Sequence, residues 1–150
     1  MSLIKYKSKR NIKKSKEPFP KKSVRSKKPI YVIQKHNATN LHYDLRLEMS
    51  DVLKSWALPK LPPRAKGTKR LAIQVEDHPI SYATFHGKIP EGNYGAGKVE
   101  IWDSGTYELL DKDKEKIEIK IAGKKLKGNY VLVKTNYGPK KNGWLFFKLQ

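Results

Sequence analysis

Beyond residue 28, apolar residues recur at every second position instead of at the spacing of about 3.6 residues that marks an amphipathic helix. The clearest case is residues 41–47, where apolar side chains alternate with His42, Asp44 and Arg46. The same alternation is present at residues 71–75 and 117–121. Shorter apolar runs, separated by Gly, Pro, Asn and Asp, occupy residues 30–34, 54–58, 99–102, 130–134 and 144–149. The pattern predicts eight or more strands joined by short turns.

These elements favour a mainly-β fold, a compact antiparallel β-barrel of about eight strands with short flanking helices or loops. Closing the sheet into a barrel would also remove unpaired strand edges. A helix over residues 61–69 is disfavoured because Pro62, Pro63 and Gly67 fall within it, and we expect a loop there.

The composition narrows the class of protein. The 150 residues include 33 Lys or Arg and 14 Asp or Glu, for a net charge of +19, which favours a polyanionic partner such as nucleic acid. There is no cysteine, which excludes disulfides, thiolate nucleophiles and zinc fingers. No apolar run reaches the roughly 18 residues of a membrane span, and the start of the chain has no signal-peptide core. We therefore expect no membrane association and a cytoplasmic, nucleoid-associated protein.

The positive charge is concentrated at the start of the chain. Residues 1–28 carry twelve Lys or Arg and one acid, Glu17. This stretch also has few apolar residues, and burying them cannot offset the conformational entropy that the chain would lose on folding. We therefore divide the chain into a disordered basic arm at 1–28, which would follow phosphate groups, and a folded domain at 29–150; a merely solubilising tail is the alternative.

Residues 34–48 contain the strongest candidate for a metal site. Strand geometry places His42, Asp44 and Arg46 on one face, and the polar turn at 37–40 brings His36 back beside them. Two imidazoles and one carboxylate would hold a metal while leaving positions open for substrate. Because this face is polar, replacing His42 or Asp44 is expected to leave the fold intact. A solvated strand face and an iron oxygenase site, with His78 or His86 as a ligand, are the alternatives.

Other residues suit phosphate chemistry less specifically. His78 ends a strand just before Pro79, a position from which a side chain can enter a site, although an ordinary polar turn is equally compatible with it. Arg70 and Lys60 would offer positive charge to a phosphate.

For two further features of the sequence, the glycine-rich segment and the tryptophans, packing is a better explanation than ligand binding. Gly92, Gly97 and Lys98 approach the spacing of a phosphate-binding loop, but Val99 and a strand follow where the loop needs Ser or Thr and a helix. A glycine turn packed on the barrel, with Tyr94 as a plug, is favoured. The three tryptophans could stack on unpaired bases, but their positions in strands favour core packing for each of them.

Taken together, the motifs resemble the 3′-phosphoesterase domain family of bacterial DNA ligase D and its stand-alone archaeal and bacterial relatives. The resemblance covers roughly residues 31–149, and Asn37 stands where the family often has Asp. Its motifs are residues 34–48, 53–60, 75–79, 89–97 and 101–105.

This resemblance implies a manganese-dependent enzyme, other divalent metals being possible, that trims 3′ ends of DNA or RNA-terminated DNA. A phosphodiesterase step would remove a terminal ribonucleoside, and a phosphomonoesterase step would then leave a 3′-hydroxyl. By position, the implied metal ligands are His36, His42 and Asp44. The implied groups around the phosphate are Arg46, Lys60, Arg70, His78 and Tyr82.

The implied partners are primer-template 3′ ends and a ligase. The chain has no Lys-x-Asp-Gly nucleotidyltransferase motif, so we expect a DNA ligase to act in trans on the product. We expect the protein itself to be a monomer. A barrel that only binds nucleic acid, without changing it, is the alternative function.

Overall fold

The computed structural model describes residues 28–90 and 97–149. The expected arm, apart from Lys28, and the expected Tyr94 plug lie outside the described residues. The described ranges contain nine strands and one 3-10 helix, Ile80–Thr84, between β4 and β5. The strands are β1 (Ile30–Asn37), β2 (Leu41–Met49), β3 (Val52–Leu58), β4 (Lys69–His78), β5 (Gly87–Ile89), β6 (Gly97–Lys112), β7 (Lys116–Ala122), β8 (Lys127–Lys134) and β9 (Gly143–Lys148).

Eight of the strands close into an antiparallel barrel. The order is β1-β2-β3-β4-β9-β8-β7-β6, and β6 pairs back onto β1. The ninth, β5, pairs with the first residues of β6. Residues 59–68 form a loop with one isolated bridge residue, as the prolines predict. In the described part of the chain, no helix has the length and apolar character needed to cross a membrane. The predicted mainly-β barrel is confirmed.

Alternate side chains of the strands fill the barrel interior. Trp56 and Trp144 lie there in edge contact, with ring centroids 5.9 Å apart, so these two tryptophans are core residues. The other buried core side chains are Tyr31, Ile33, Tyr43, Leu45, Leu47, Leu58, Ala72, Tyr107, Ile117, Ile119, Ile121, Leu126, Tyr130, Leu132 and Phe146.

On β4, the residue that enters the core is the small one. Ala72 is fully buried and pairs with Trp144, whereas Leu71 and Ile73 on the opposite face are half-buried. Two indole rings occupy the interior at this level, and a methyl side chain leaves room for them. The alternation in β4 is therefore real, but its bulkier apolar face lies outside the barrel.

The outer face of β1, β2 and β3 is covered by the 3-10 helix. Ala83 of that helix packs with Val32 and Leu53 in a second, smaller apolar cluster. Arg46, on the polar face of β2, lies against Tyr82 of that helix and is only 4% exposed. Asp44, on the same face, is surrounded by His36, His42 and Arg46 and is 6% exposed. Our expectation that polar-face substitutions leave the fold intact assumed a solvated face. Because Asp44 is buried, the expectation is corrected for this residue: replacing Asp44 is also expected to lower the stability of the fold.

Two residues of the motif at 101–105, Asp103 and Gly105, have structural roles. The Asp103 carboxylate accepts hydrogen bonds from the Tyr31 hydroxyl and from the backbone N–H groups of residues 124, 125 and 126. Two strand positions on, a Cβ at Gly105 would collide with the carbonyl oxygen of Ala122. Asp103 thus fastens the β7–β8 loop to β6, and Gly105 permits the close approach.

Asp103→Asn is expected to lower the free energy of unfolding by roughly 2 to 4 kcal/mol at neutral pH, because an amide presents a donor to groups that themselves donate. Burial alone would raise the pKa of Asp103, but the four hydrogen bonds outweigh it and hold this pKa below the ordinary 3.8. The carboxylate therefore stabilises the fold above about pH 3.8, and this contribution is lost as the pH falls through the folded-state pKa.

The measurement is urea unfolding of both proteins across pH 3 to 7. We expect the gap between them to be largest at neutral pH and to shrink under acid conditions. Asp111→Asn is the matched control, since that exposed side chain forms only a 3.6 Å ion pair with Lys116. A gap that is constant with pH would contradict this role for the Asp103 charge.

Candidate metal centre and phosphate-binding groups

Three potential metal ligands meet on the outer face of the barrel wall. His36 of β1 and His42 of β2 are directly paired, and their ring centroids are 4.8 Å apart. Asp44 lies two residues along β2, on the same face. The short turn after Asn37 therefore brings His36 beside His42, as the sequence predicts.

The ligand atoms of these residues are close enough to share one ion. One atom from each of His36, His42 and Asp44 lies within 4.8 Å of the others. The two carboxylate oxygens point to different rings: Asp44 Oδ1 is 3.3 Å from His42 Nε2, and Oδ2 is 3.8 Å from His36 Nδ1. Two imidazoles and one carboxylate fit a divalent ion such as Mn²⁺, and leave further coordination positions to water or substrate.

The carboxylate and the half-buried imidazole stabilise each other's charged forms. The hydrogen bond to Asp44 raises the pKa of His42 above its ordinary value despite partial burial. Burial works to raise the pKa of Asp44, but the His42 hydrogen bond and the Arg46 charge outweigh it and lower that pKa. Asp44 is thus ionised at neutral pH, the state in which a carboxylate binds metal.

Arg46 lies directly next to this cluster, with every nitrogen of its guanidinium group engaged. Nε donates to Gln34 Oε1 at 2.6 Å and Nη1 to Ser55 Oγ at 2.8 Å. Nη2 is 3.4 Å from Asp44 Oδ2. A planar cation is therefore fixed beside the metal ligands, although burial lowers its pKa.

Gln34 and Ser55 hold Arg46 in place, and the sequence analysis identified neither as part of the candidate site. Both are fully buried, and Gln34 also donates from Nε2 to the backbone oxygens of Tyr82 (2.8 Å) and Phe85 (3.2 Å). Gln34 therefore connects Arg46 to residues 80–86, the covering segment of the site. The available signal was strand alternation, since Gln34 shares the face of His36 and Ser55 pairs with Arg46.

His78, the last residue of β4, and Tyr82, in the 3-10 helix, both approach Arg46. His78 Nδ1 is 3.2 Å from Arg46 Nη1 and 3.1 Å from the Glu76 oxygen, so the ring's tautomer decides which bond forms. The Arg46 guanidinium carbon is 4.9 Å from the Tyr82 ring centroid. Burial, together with the Arg46 charge, lowers the pKa of His78, so this imidazole is neutral at pH 7.

The structure does not bring all the predicted residues together. Arg70 donates from Nε to the Leu61 oxygen at 2.7 Å, and within residues 28–90 and 97–149 no hydrogen bond or ion pair links Arg70 or Lys60 to the cluster. The register places both near the same end of the barrel as His42, because Leu58 pairs with Tyr43 and Ala57 pairs with Ile73. His86 is exposed and is not one of the three clustered ligands. The six residues that do meet are His36, His42, Asp44, Arg46, His78 and Tyr82.

Gln34→Ala is expected to loosen the covering segment, because two backbone oxygens and Arg46 Nε lose their partner together. The measurement is amide hydrogen exchange, in which residues 80–86 should exchange at least about tenfold faster while β8 changes much less. Gln74→Ala is the matched control, since Gln74 is half-buried and accepts a bond from Trp144 Nε1. An equal change in both regions would show a general loss of stability instead.

The sequence of the chain is similar to that of known proteins. The family described as DNA Ligase D 3′-phosphoesterase domain matches residues 34–134. The multifunctional non-homologous end joining protein LigD of Pseudomonas aeruginosa is 43% identical over 153 residues, covering 97% of this chain and 18% of the relative. The protein of that name from Mycobacterium bovis is 45% identical over 139 residues, covering 89% of this chain and 18% of the relative.

The LigD protein of Mycolicibacterium smegmatis is 42% identical over 160 residues, covering 99% of this chain and 20% of the relative. The chain thus spans about a fifth of the length of the curated relatives that it matches. The matched region contains all six residues that meet on the barrel wall. The chain belongs to the DNA ligase D 3′-phosphoesterase domain family, whose relatives act in the repair of DNA ends.

Proposed function

We propose that this protein is a metal-dependent phosphoesterase that repairs nucleic-acid 3′ ends. It would remove a 3′-terminal ribonucleoside as a phosphodiesterase and the remaining 3′-phosphate as a phosphomonoesterase. One observation supports this most directly: a three-ligand cluster lies beside the buried Arg46, each of whose guanidinium nitrogens is held by a hydrogen bond from one N–H group. A metal site and a fixed guanidinium side by side are what a phosphoryl group needs as it gains negative charge.

His36, His42 and Asp44 would hold the metal. Their donor atoms fit Mn²⁺ and also other divalent ions, so manganese is our proposal for the ion used. When bound, the metal supplies a Lewis acid that polarises a phosphoryl oxygen. Asp44 contributes its negative charge and, through its contact with Arg46, fixes the ligand cluster next to the phosphate-binding group.

Three side chains would bind and orient the phosphate. Arg46 provides a planar set of donors whose orientation Gln34 and Ser55 fix before substrate arrives, so that little reorganisation is needed during reaction. His78, being neutral in the free protein, can donate or accept one proton according to its tautomer, and an arriving phosphate favours its protonated form. Tyr82 lies against Arg46 and completes the wall of the site. Lys60 and Arg70 remain proposed contacts for the rest of the substrate.

The product would be a 3′-hydroxyl end for a ligase acting in trans. The relatives' names refer to non-homologous end joining, which favours DNA or RNA-terminated DNA ends as substrates. The net charge of +19 favours the same class of partner. Activity as a monomer in the prokaryotic nucleoid stays a prediction.

The proposal is tested with a 5′-labelled primer-template that ends in one ribonucleotide, incubated with Mn²⁺ or with chelator. We expect a 3′-phosphate product that appears first and a 3′-hydroxyl product that follows, both only with the metal. A primer that binds the protein, as shown by a native gel, but stays unchanged with every divalent metal would favour the non-catalytic binding barrel.

A further inference from the structure

A line of three aromatic rings leads away from the metal cluster on the outer face of the barrel. The His78 and Tyr82 ring centroids are 5.0 Å apart, and Phe85 stacks on Tyr82 at 5.0 Å with only 14° between the ring planes. The line begins at His78, beside Arg46, and ends at Phe85. The proposed chemistry uses the first two rings and leaves the last one without a role.

Phe85 is held in place by buried contacts. Its backbone oxygen accepts a hydrogen bond from Gln34, its N–H donates to the Tyr82 oxygen at 3.0 Å, and the neighbouring Ala83 is buried against the barrel wall. The side chain itself is half-buried. A rigidly supported, partly accessible ring is suited to binding, because little entropy is lost when a ligand stacks on it.

The sheet register places this ring level with the metal ligands. Gly87 pairs with Val99, and Val99 pairs with His36, so all three lie in one row across β5, β6 and β1. A Cβ at Gly87 would be 3.9 Å from Phe85 Cζ, which places the end of the ring beside this row. Two inter-strand spacings, roughly 10 Å, thus separate the ring from His36. One nucleotide can bridge that distance, with its phosphate at the cluster and its base at Phe85.

We propose that Phe85 is the stacking surface for the base at the substrate's 3′ end, and that it provides the preference for nucleotide ends over other phosphoesters. This inference rests on the proposed function. Stacking suits the role because every base presents a π face, so one ring can accept ends of any sequence. The apolar ring complements the charged groups at the cluster, which bind the phosphate.

The test compares two primers that differ only at the 3′-terminal residue, which carries a base in one and is abasic in the other. The readout is the ratio of kcat/KM for the two ends. Wild type should prefer the base-bearing end, and Phe85→Ala should reduce the ratio by about 5- to 150-fold. Phe85→Trp should keep the preference, and so should Tyr137→Ala, which removes an aromatic ring that is 59% exposed.

Phe85→Leu preserves apolar bulk without a π face and should also reduce the ratio, which keeps the test valid if the alanine variant folds poorly. An unchanged ratio in a folded Phe85→Ala or Phe85→Leu protein would overturn the proposal, and so would a wild type that treats both ends alike. If wild type cleaves neither primer, the proposed function fails. The stacking proposal is then decided by the ratio of the two dissociation constants, measured with chelator present.

Discussion

Asp44→Asn is expected to weaken metal binding by more than about 100-fold and to lower turnover on the primer in parallel. The amide has nearly the same shape, but it carries no negative charge and is a poorer ligand for a divalent ion. High metal concentration should restore part of the turnover, because the two imidazoles remain. The measurement is the dependence of kcat/KM on Mn²⁺ concentration in the wild type and the variant.

Stability has to be followed in the same experiment. Asp44 is buried and faces the Arg46 cation, so its loss leaves a buried charge without a counterion and costs about 3 kcal/mol. Circular dichroism at the assay temperature establishes that the variant is folded. Glu100→Gln is the control, since Glu100 is an exposed carboxylate on β6, the strand on the other side of β1, and forms an ion pair with Lys98. Wild-type metal dependence in Asp44→Asn would rule out Asp44 as a ligand.

Arg46→Lys is expected to reduce kcat by about 100- to 1,000-fold although the positive charge is kept. A lysine has one nitrogen in place of three, so it cannot satisfy Gln34, Ser55 and Asp44 together. The remaining ammonium group would also lack the planar donor geometry that a phosphate accepts. Steady-state kinetics on the primer, with metal at saturation, measures the effect.

Arg64→Lys provides the comparison, because Arg64 is exposed in the β3–β4 loop. That variant should be within about twofold of wild type. If Arg46→Lys behaved in the same way, the orientation of the guanidinium would have no role in the reaction, and net charge alone would account for phosphate binding.

Much of the barrel could be predicted because strand alternation is a local property. Each of the eight apolar runs falls on a different barrel strand, and only the run at 144–149 extends one residue beyond its strand. Which face of β4 points into the core was harder to infer. Ala72 points inward because the rings of Trp56 and Trp144 fill the space there, and both tryptophans are distant from Ala72 in sequence. The burial of the β2 polar face was likewise not local, because the 3-10 helix that covers it comes about 35 residues later.

The clustering of the three candidate ligands could be predicted for the same reason that the strands could. His36, His42 and Asp44 lie on two consecutive strands joined by a short turn, so spacing alone brings them together. Gln34 and Ser55 were missed because their importance comes from contacts with Arg46, and neither residue type indicates a site by itself. Arg70 illustrates the opposite case, in which a residue suited to phosphate binding donates instead to a loop carbonyl.

Titrating metal-free protein with Mn²⁺ shows whether one metal ion on these three side chains is needed for the chemistry. The free-ion electron paramagnetic resonance signal and the rate of 3′-end hydrolysis are followed in the same samples. We expect the free-ion signal to stay low until one equivalent of Mn²⁺ per chain has been added and to rise beyond that point, where the rate of hydrolysis reaches its maximum. Asp44→Asn should bind no ion at that concentration. Hydrolysis at the full rate in chelator, or equal Mn²⁺ binding by Asp44→Asn, would contradict this role for the ion.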